Sequence, residues 1–291
     1  MKRFAFAAAL VLTCGDVQSA PDPFAQTRLE WNKPLKPFHV IGNIYYVGAA
    51  GVSAFLITTP QCHIVTDGAL PESAPLIEAN IKAQGFKLSD VKNLLNSHAH
   101  FDHSGSLARL KQVSGARLVA STADKPILKS GHISFGPAAN ADSIPVKVDQ
   151  VVADGGTVSL GGVTLTANVT SGHTPGCTTW TMAANDNGKK YDVVFFCGMR
   201  MNPGEPLMNN PDYPEMAADF AYSFAKLKLL PVDIYLASHG YWFDFAEKIK
   251  RLGQQPEINP FIDPEGYRKI VEKFEGAYLE ALQAERGIVA P

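Results

Sequence analysis

The sequence predicts an α/β protein in which two β-sheets pack together with helices on the outside. Three observations carry this. Strand-like runs followed by helical segments occur twice along the chain, and no linker-like stretch or internal repeat separates the two blocks. With 46% hydrophobic and 19% charged residues among 291, there is apolar material for one sizeable core. The expected organisation is a leader at 1–19 and a single domain at 20–291.

Met1-Lys2-Arg3 is a short basic start, residues 4–12 are an unbroken apolar run, and small residues close the segment near Ser19-Ala20. That is the layout of a secretory signal peptide, too short to span a bilayer. The mature protein is therefore expected in the periplasm. A polar, proline-containing lead follows to about Pro37. Strands are expected at 40–47, 54–58 and 63–66, each broken by Gly or Pro. Residues 72–84 have helical spacing, with Leu76, Ile77 and Ile81 on one face. A short apolar strand at Val91–Leu95, a helix at 104–113 and a strand at 117–120 complete the first block.

Residues 130–145, rich in Gly, Ala, Asn and Ser, read as an insert. A second β-rich block covers 146–196. Helical character returns at 214–229, a strand at 232–237, and a long amphipathic helix runs from about Pro264. The net charge of -2 leaves no polycationic face for nucleic acid or an anionic membrane. No segment beyond the leader reaches transmembrane length. The chain is read as a monomer acting on a small molecule.

Loss of Cys14 with the leader leaves Cys62, Cys177 and Cys197. Segments 178–182 and 191–196 flank a polar turn at Asn187-Gly188 and read as a hairpin. In the register that sets Met182 opposite Asp192, Cys177 falls opposite Cys197, within disulfide reach in an oxidising compartment. Two free thiols are the alternative.

The strongest chemical signal is His98-Ala99-His100-Phe101-Asp102-His103, between a strand and a helix. Three of the chain's 8 histidines fall there. Imidazole and carboxylate are the ligands zinc takes where thiolate is absent. His173, in Ser171-Gly172-His173-Thr174-Pro175-Gly176, and His239, in Ser238-His239-Gly240, each follow a strand and complete six ligands. Three ligands for each of two zinc ions is a dizinc site. His39 and His63 sit in strand-like runs and are read as structural.

These motifs resemble those of the metallo-β-lactamases, and the resemblance covers nearly all of the mature chain. It extends to 42–48 near the start, Asp67-Gly68 after the third strand, and 209–214 before a helix. It implies an αββα sandwich of two mixed sheets with the metals at one edge. It also implies that the first zinc takes His98, His100 and His173, and the second Asp102, His103 and His239. Asp67 is either a support for these ligands or a plain turn residue.

Thioesterases, lactonases and tRNA-processing nucleases of this fold carry an extra aspartate that bridges the metals. The equivalent place here reads Phe195-Phe196-Cys197-Gly198-Met199-Arg200, without a carboxylate. His103 fits the third metallo-β-lactamase subclass, although Cys197 as a zinc ligand is a second possibility. That subclass often puts serine or threonine where Met199 and Met201 stand, so Arg200, Asn202 or water takes over the substrate carboxylate. Met199, Arg200 and Asn202 are therefore candidate substrate positions. Phe135 is either an apolar substrate contact or part of a solvated loop with His132.

The resemblance implies zinc-dependent hydrolysis of the β-lactam amide in penicillins, cephalosporins and carbapenems, giving antibiotic resistance. Zinc lowers the pKa of bound water from 15.7 toward roughly 7, so a hydroxide is available at neutral pH. His98, His100, His173 and Asp102 are then the catalytic set, with Asp102 orienting the nucleophile. The alternatives are a dizinc hydrolase of the same fold acting on a lactone or thioester, and an exported zinc-binding protein without catalysis.

Overall fold

The computed structural model describes residues 22–133, 136, 139, 141–202, 204–255 and 257–287. The leader at 1–19 and Phe135 lie outside the described residues. Twelve strands among the described residues form two mixed sheets. The first runs in spatial order β1 (Phe38–Ile41), β2 (Ile44–Tyr46), β3 (Phe55–Thr58), β4 (His63–Thr66), β5 (Val91–Leu95), β6 (Arg117–Ser121) and β7 (Gln150–Val152). Its first four strands pair antiparallel and its last four parallel. The second contains β8 (Thr157–Leu160), β9 (Val163–Val169), β10 (Thr178–Asp186), β11 (Lys189–Phe196) and β12 (Ile234–Ala237), in the order β12-β11-β10-β9-β8.

Alternation along the strands makes the layers. In β3 to β6, Phe55, Ile57, Ile64, Leu95 and Val119 face the second sheet, where Trp180, Met182, Val193 and Phe195 meet them. Their neighbours Leu56, Val65, Leu94, Leu118 and Ala120 point the other way, onto α2 (Ala74–Ala83) and α4 (Leu107–Ser114). A sheet buried on both faces needs such continuous apolar strands. The outer face of the second sheet is covered by α6 (Met216–Leu227) and α8 (Pro264–Glu285), through Phe220, Phe224, Tyr267 and Phe274. Helices thus lie outside both sheets, as the sequence predicts.

Several local expectations shift. The run at 40–47 is two strands, because Gly42 takes a φ of +54° and turns the chain into an antiparallel pair. The expected helix at 104–113 starts earlier, as a helical turn α3 (Phe101–Ser104), and resumes as α4. The hairpin forms one residue out of the expected register. Its two-residue turn sets Asp186 opposite Lys189, so Met182 pairs with Val193 rather than Asp192. Cys177 and Cys197 are nevertheless disulfide-bonded, with Cα atoms 6.0 Å apart just past the ladder's open end. There the strands no longer constrain each Cα to its ladder partner. Three helices had no counterpart in the sequence reading: α1 (Ala25–Trp31), α5 (Lys125–Ser130) and α7 (Phe245–Gln254). No helix among the described residues is long and apolar enough to cross a membrane.

Candidate metal centre

Every predicted ligand leaves a strand at its C-terminal end, and all six meet at one edge of the sandwich. The segment after β5 stays extended through His100, then turns into α3, which carries Asp102 and His103 on its first turn. The loop after β9 carries His173. Gly172 before it has a φ of +140°, and a side chain there would run into the Phe220 ring. Only glycine fits that approach. His239 follows β12 and bridges to Val52, which ties the two sheets together beside the site.

The side chains form two overlapping groups. The rings of His98, His100 and His173 stand nearly perpendicular to one another with centroids 4.7–4.9 Å apart. Their donor atoms lie within 4.8 Å of one another, as do those of His98, Asp102 and His103. His103 Nε2 is 3.1 Å from His239 Nε2 and 3.4 Å from Asp102 Oδ2, and His239 Nε2 is 3.3 Å from that same oxygen. An ion with tetrahedral bonds of about 2.0–2.1 Å holds its donors about 3.3 Å apart. Asp102, His103 and His239 thus already outline one face of such a tetrahedron. His98 Nε2 is buried without a hydrogen-bond partner. Such an orphaned lone pair is costly unless something binds it. The donor set therefore fits a metal, and its all-imidazole and carboxylate character fits zinc.

Electrostatics prepares these groups to donate. Burial, joined by neighbouring imidazoles, holds His98 and His173 well below the ordinary histidine pKa, and it brings His100 to about 4. All three are neutral near pH 7, as ligation requires. Burial by itself would push Asp102 up, but His103 and His239 beside it outweigh that and hold it well below the usual carboxylate range. Asp67 adopts a positive φ of +59° after β4. Its carboxylate accepts the Ser97 N–H at 2.6 Å, just ahead of His98, and its other oxygen lies 3.9 Å from His103 Nδ1. His173 Nδ1 donates to the Arg200 carbonyl at 2.7 Å, which leaves Nε2 free for a metal. Asp124, absent from the sequence reading, is buried behind the site. Its carboxylate packs against Gly176 of the His173 loop, and burial pushes its pKa to about 7, opposed by the nearby backbone of Ala99 and Gly176.

A cleft of about 530 Å³ opens above, with His100, Asp102, His173 and His239 in its floor. Of the three candidate substrate positions, Arg200 and Asn202 line it, whereas Met199 is fully buried in the core and lies away from the cleft. Cys197 is committed to the disulfide, and its Sγ meets Nδ1 of His98 rather than the cluster. The remaining walls were missed: Phe24, Thr27 and Trp31 from the start of the chain, then Phe101, Tyr241 and Trp242. Trp31 and Tyr241 pack on the His239 ring at 5.0 and 4.9 Å. Tyr241-Trp242 directly after a candidate ligand was the available signal, while the lead peptide offered none. His39 bonds the Gly42 carbonyl and His63 packs edge-on against Phe86, both away from the site. His132 pairs with Asp142 at the surface.

A profile of the metallo-beta-lactamase superfamily matches residues 47–239. The fold superposes on the native FEZ-1 metallo-beta-lactamase of Legionella gormanii with a TM-score of 0.84 and 39% identity, over 88% of this chain and 98% of that one. BJP-1, a subclass B3 metallo-beta-lactamase of Bradyrhizobium japonicum, gives 0.81 and 36%, over 88% and 97%. Curated sequence relatives include the hydroxyacylglutathione hydrolases of Jannaschia sp. and Rhodopseudomonas palustris. The first is 28% identical over 65% of this chain, and that match spans 62% of the relative's length. The second is 29% identical, over 71% of this chain and 68% of the relative.

Proposed function

The chain belongs to the metallo-beta-lactamase superfamily, and from that premise we propose that it is a periplasmic zinc β-lactamase opening penicillins, cephalosporins and carbapenems. The observation that carries this reading is the likeness to FEZ-1 at 39% identity over 98% of that enzyme's chain. The hydroxyacylglutathione hydrolases are more distant in identity and match a smaller share of their own length. Two further features support it: the end of β11 offers Cys197 and Gly198 where a bridging aspartate would stand, and the cleft is walled by aromatic side chains.

In this reading His98, His100 and His173 hold one zinc and Asp102, His103 and His239 a second. Bound there, zinc supplies Lewis acidity and makes water nucleophilic near neutral pH. The protein's own groups do the rest. Arg200 faces the cleft as a cation and draws in the carboxylate that β-lactams carry, assisted by Asn202. Trp31, Phe24 and Tyr241 exclude bulk water and pack against apolar substituents. Ionised Asp102 accepts a hydrogen bond from the attacking water and aims its oxygen at the lactam carbonyl. The C–N bond breaks, the oxygen stays on carbon, and the proton finishes on nitrogen. Export by residues 1–19 and a single folded domain from residue 20 belong to the same proposal.

The decisive assay uses purified mature protein and a chromogenic cephalosporin. Turnover that a chelator removes and zinc restores is the expected result. The curated relatives favour a second reading, a thioester or lactone hydrolase. Faster turnover of an acylglutathione thioester or a lactone than of every β-lactam tested would establish that one instead.

A further inference from the structure

The disulfide lies against the metal ligands. Cys197 Sγ is 3.5 Å from Nδ1 of His98, and the Ser97 hydroxyl is 3.1 Å from the same nitrogen. For Nε2 of His98 to offer its lone pair to a metal, Nδ1 must carry the proton and needs an acceptor outside the cluster. His173 has a backbone carbonyl for this purpose. His98 has only a hydroxyl and a sulfur. A disulfide sulfur bears no hydrogen, so it can accept but cannot compete as a donor. The cross-link also joins the two chain segments that orient His173. Cys177 lies four residues after that histidine, and Cys197 three before Arg200, whose carbonyl holds it.

We propose that the Cys177–Cys197 disulfide is a positioning element of the metal centre, so that tight zinc binding at His98, His100 and His173 depends on these two cysteines being oxidised. The inference rests on the dizinc reading of the cluster. Magnitudes support it. Breaking the bond moves two sulfurs from covalent to van der Waals separation, an expansion on the order of 1.5 Å. Both cysteines are fully buried, so the expansion has no free space to enter and falls on the His98 ring and the His173 loop. Ligand distances at a metal tolerate only about 0.2 Å. The reaction is ordinary exchange: the disulfide takes two electrons and two protons from two molecules of a small thiol, giving two cysteine thiols and one oxidised thiol pair. In a reducing compartment the chain would thus fold as a weakly loading dithiol. Oxidation after export would close the clamp and complete the site. Because both sulfurs are buried, the state is set while the chain folds rather than switched rapidly afterwards.

The test compares zinc affinity of the oxidised protein with that of the dithiol form and of the Cys177→Ala/Cys197→Ala variant, by competition with a chromophoric chelator. Losing the disulfide should weaken one of two zincs by about 10- to 100-fold, the range for lost supports of metal ligands. It should also shift the His98 Nδ1–H resonance of the zinc-loaded protein, and reoxidation should restore both. Equal affinity with an unmoved resonance overturns the proposal. Where the dithiol form unfolds, zinc-loaded protein is reduced with a phosphine, and zinc release is followed beside far-UV circular dichroism. Release ahead of unfolding supports the clamp; release only with unfolding, or zinc retained by the dithiol, overturns it. Oxidised protein that binds no zinc at all would instead remove the dizinc reading itself.

Discussion

His103 and His239 are 136 residues apart in the chain, yet their Nε2 atoms are 3.1 Å apart. Burial disfavours a charge on His103, but Asp102 and Asp67 outweigh it and raise the pKa, so this close pair calls for a shared proton or a bound cation. Replacing His173 by alanine should therefore leave a chain that binds one zinc instead of two. Its hydrolytic rate should drop on the order of 100-fold or more, read by metal analysis and initial rates. Asp124 offers a pH signature. Burial raises its folded pKa to about 7, above the unfolded value near 4. A raised folded pKa means the protonated group's contribution is fully present below about pH 4. It is lost as pH rises through 7, at a slope of up to about 1.4 kcal/mol per pH unit. In metal-free protein, Asp124→Asn should flatten this loss. Urea unfolding at pH 4.5 and 7.5 should show the variant gaining on the wild type as pH rises, and a constant difference between them would refute the assignment.

At the scale of elements, α1 is unusual because none of its residues is fully buried. It is held by the Arg28 guanidinium bonding both Glu72 oxygens and by the Trp31 carbonyl accepting the Gly51 N–H. Its inner side is the cleft wall, so its contribution is to binding more than to folding. Trp31→Ala should change unfolding free energy by no more than about 1 kcal/mol. It should raise KM roughly fivefold for substrates with a large apolar substituent, the equivalent of about 1 kcal/mol of lost burial. Substrates with a small substituent should change less. Paired steady-state assays on two β-lactams differing only in that group check this.

For the molecule as a whole, the metal site stands where both sheets end. Ser53 donates its N–H to the Ser238 carbonyl across the seam, and Trp180 Nε1 bonds the Asn96 carbonyl from the opposite sheet. An ion that grips His98 from one sheet and His173 from the other, or His103 from one and His239 from the other, stabilises only the docked arrangement. Each zinc at 100 times its dissociation constant should add about 2.7 kcal/mol to folding. Thermal unfolding with and without a chelator should show a clear fall in Tm on zinc removal, and an unchanged Tm would contradict the site.

Much was legible from local chemistry. β4 and β5 begin and end where hydrophobic runs meet Pro, Gly and polar residues, and the His98–His103 cluster is visible because its members are neighbours in sequence. What was missed has a common cause. α1 and α7 are short helices of mixed polarity whose stability comes from what they dock against, and Asp124 is ordinary until two loops close over it. The hairpin shows the boundary best: Asn187-Gly188 announces the turn, but which residues face each other depends on turn geometry that spacing cannot supply. The sequence by itself determined the layers and the ligand types, because hydrophobic period and side-chain chemistry are local properties. Only the tertiary structure decided that Met199 is buried, that Trp31 walls the cleft and that a disulfide backs His98, because such contacts exist only once two sheets are packed face to face.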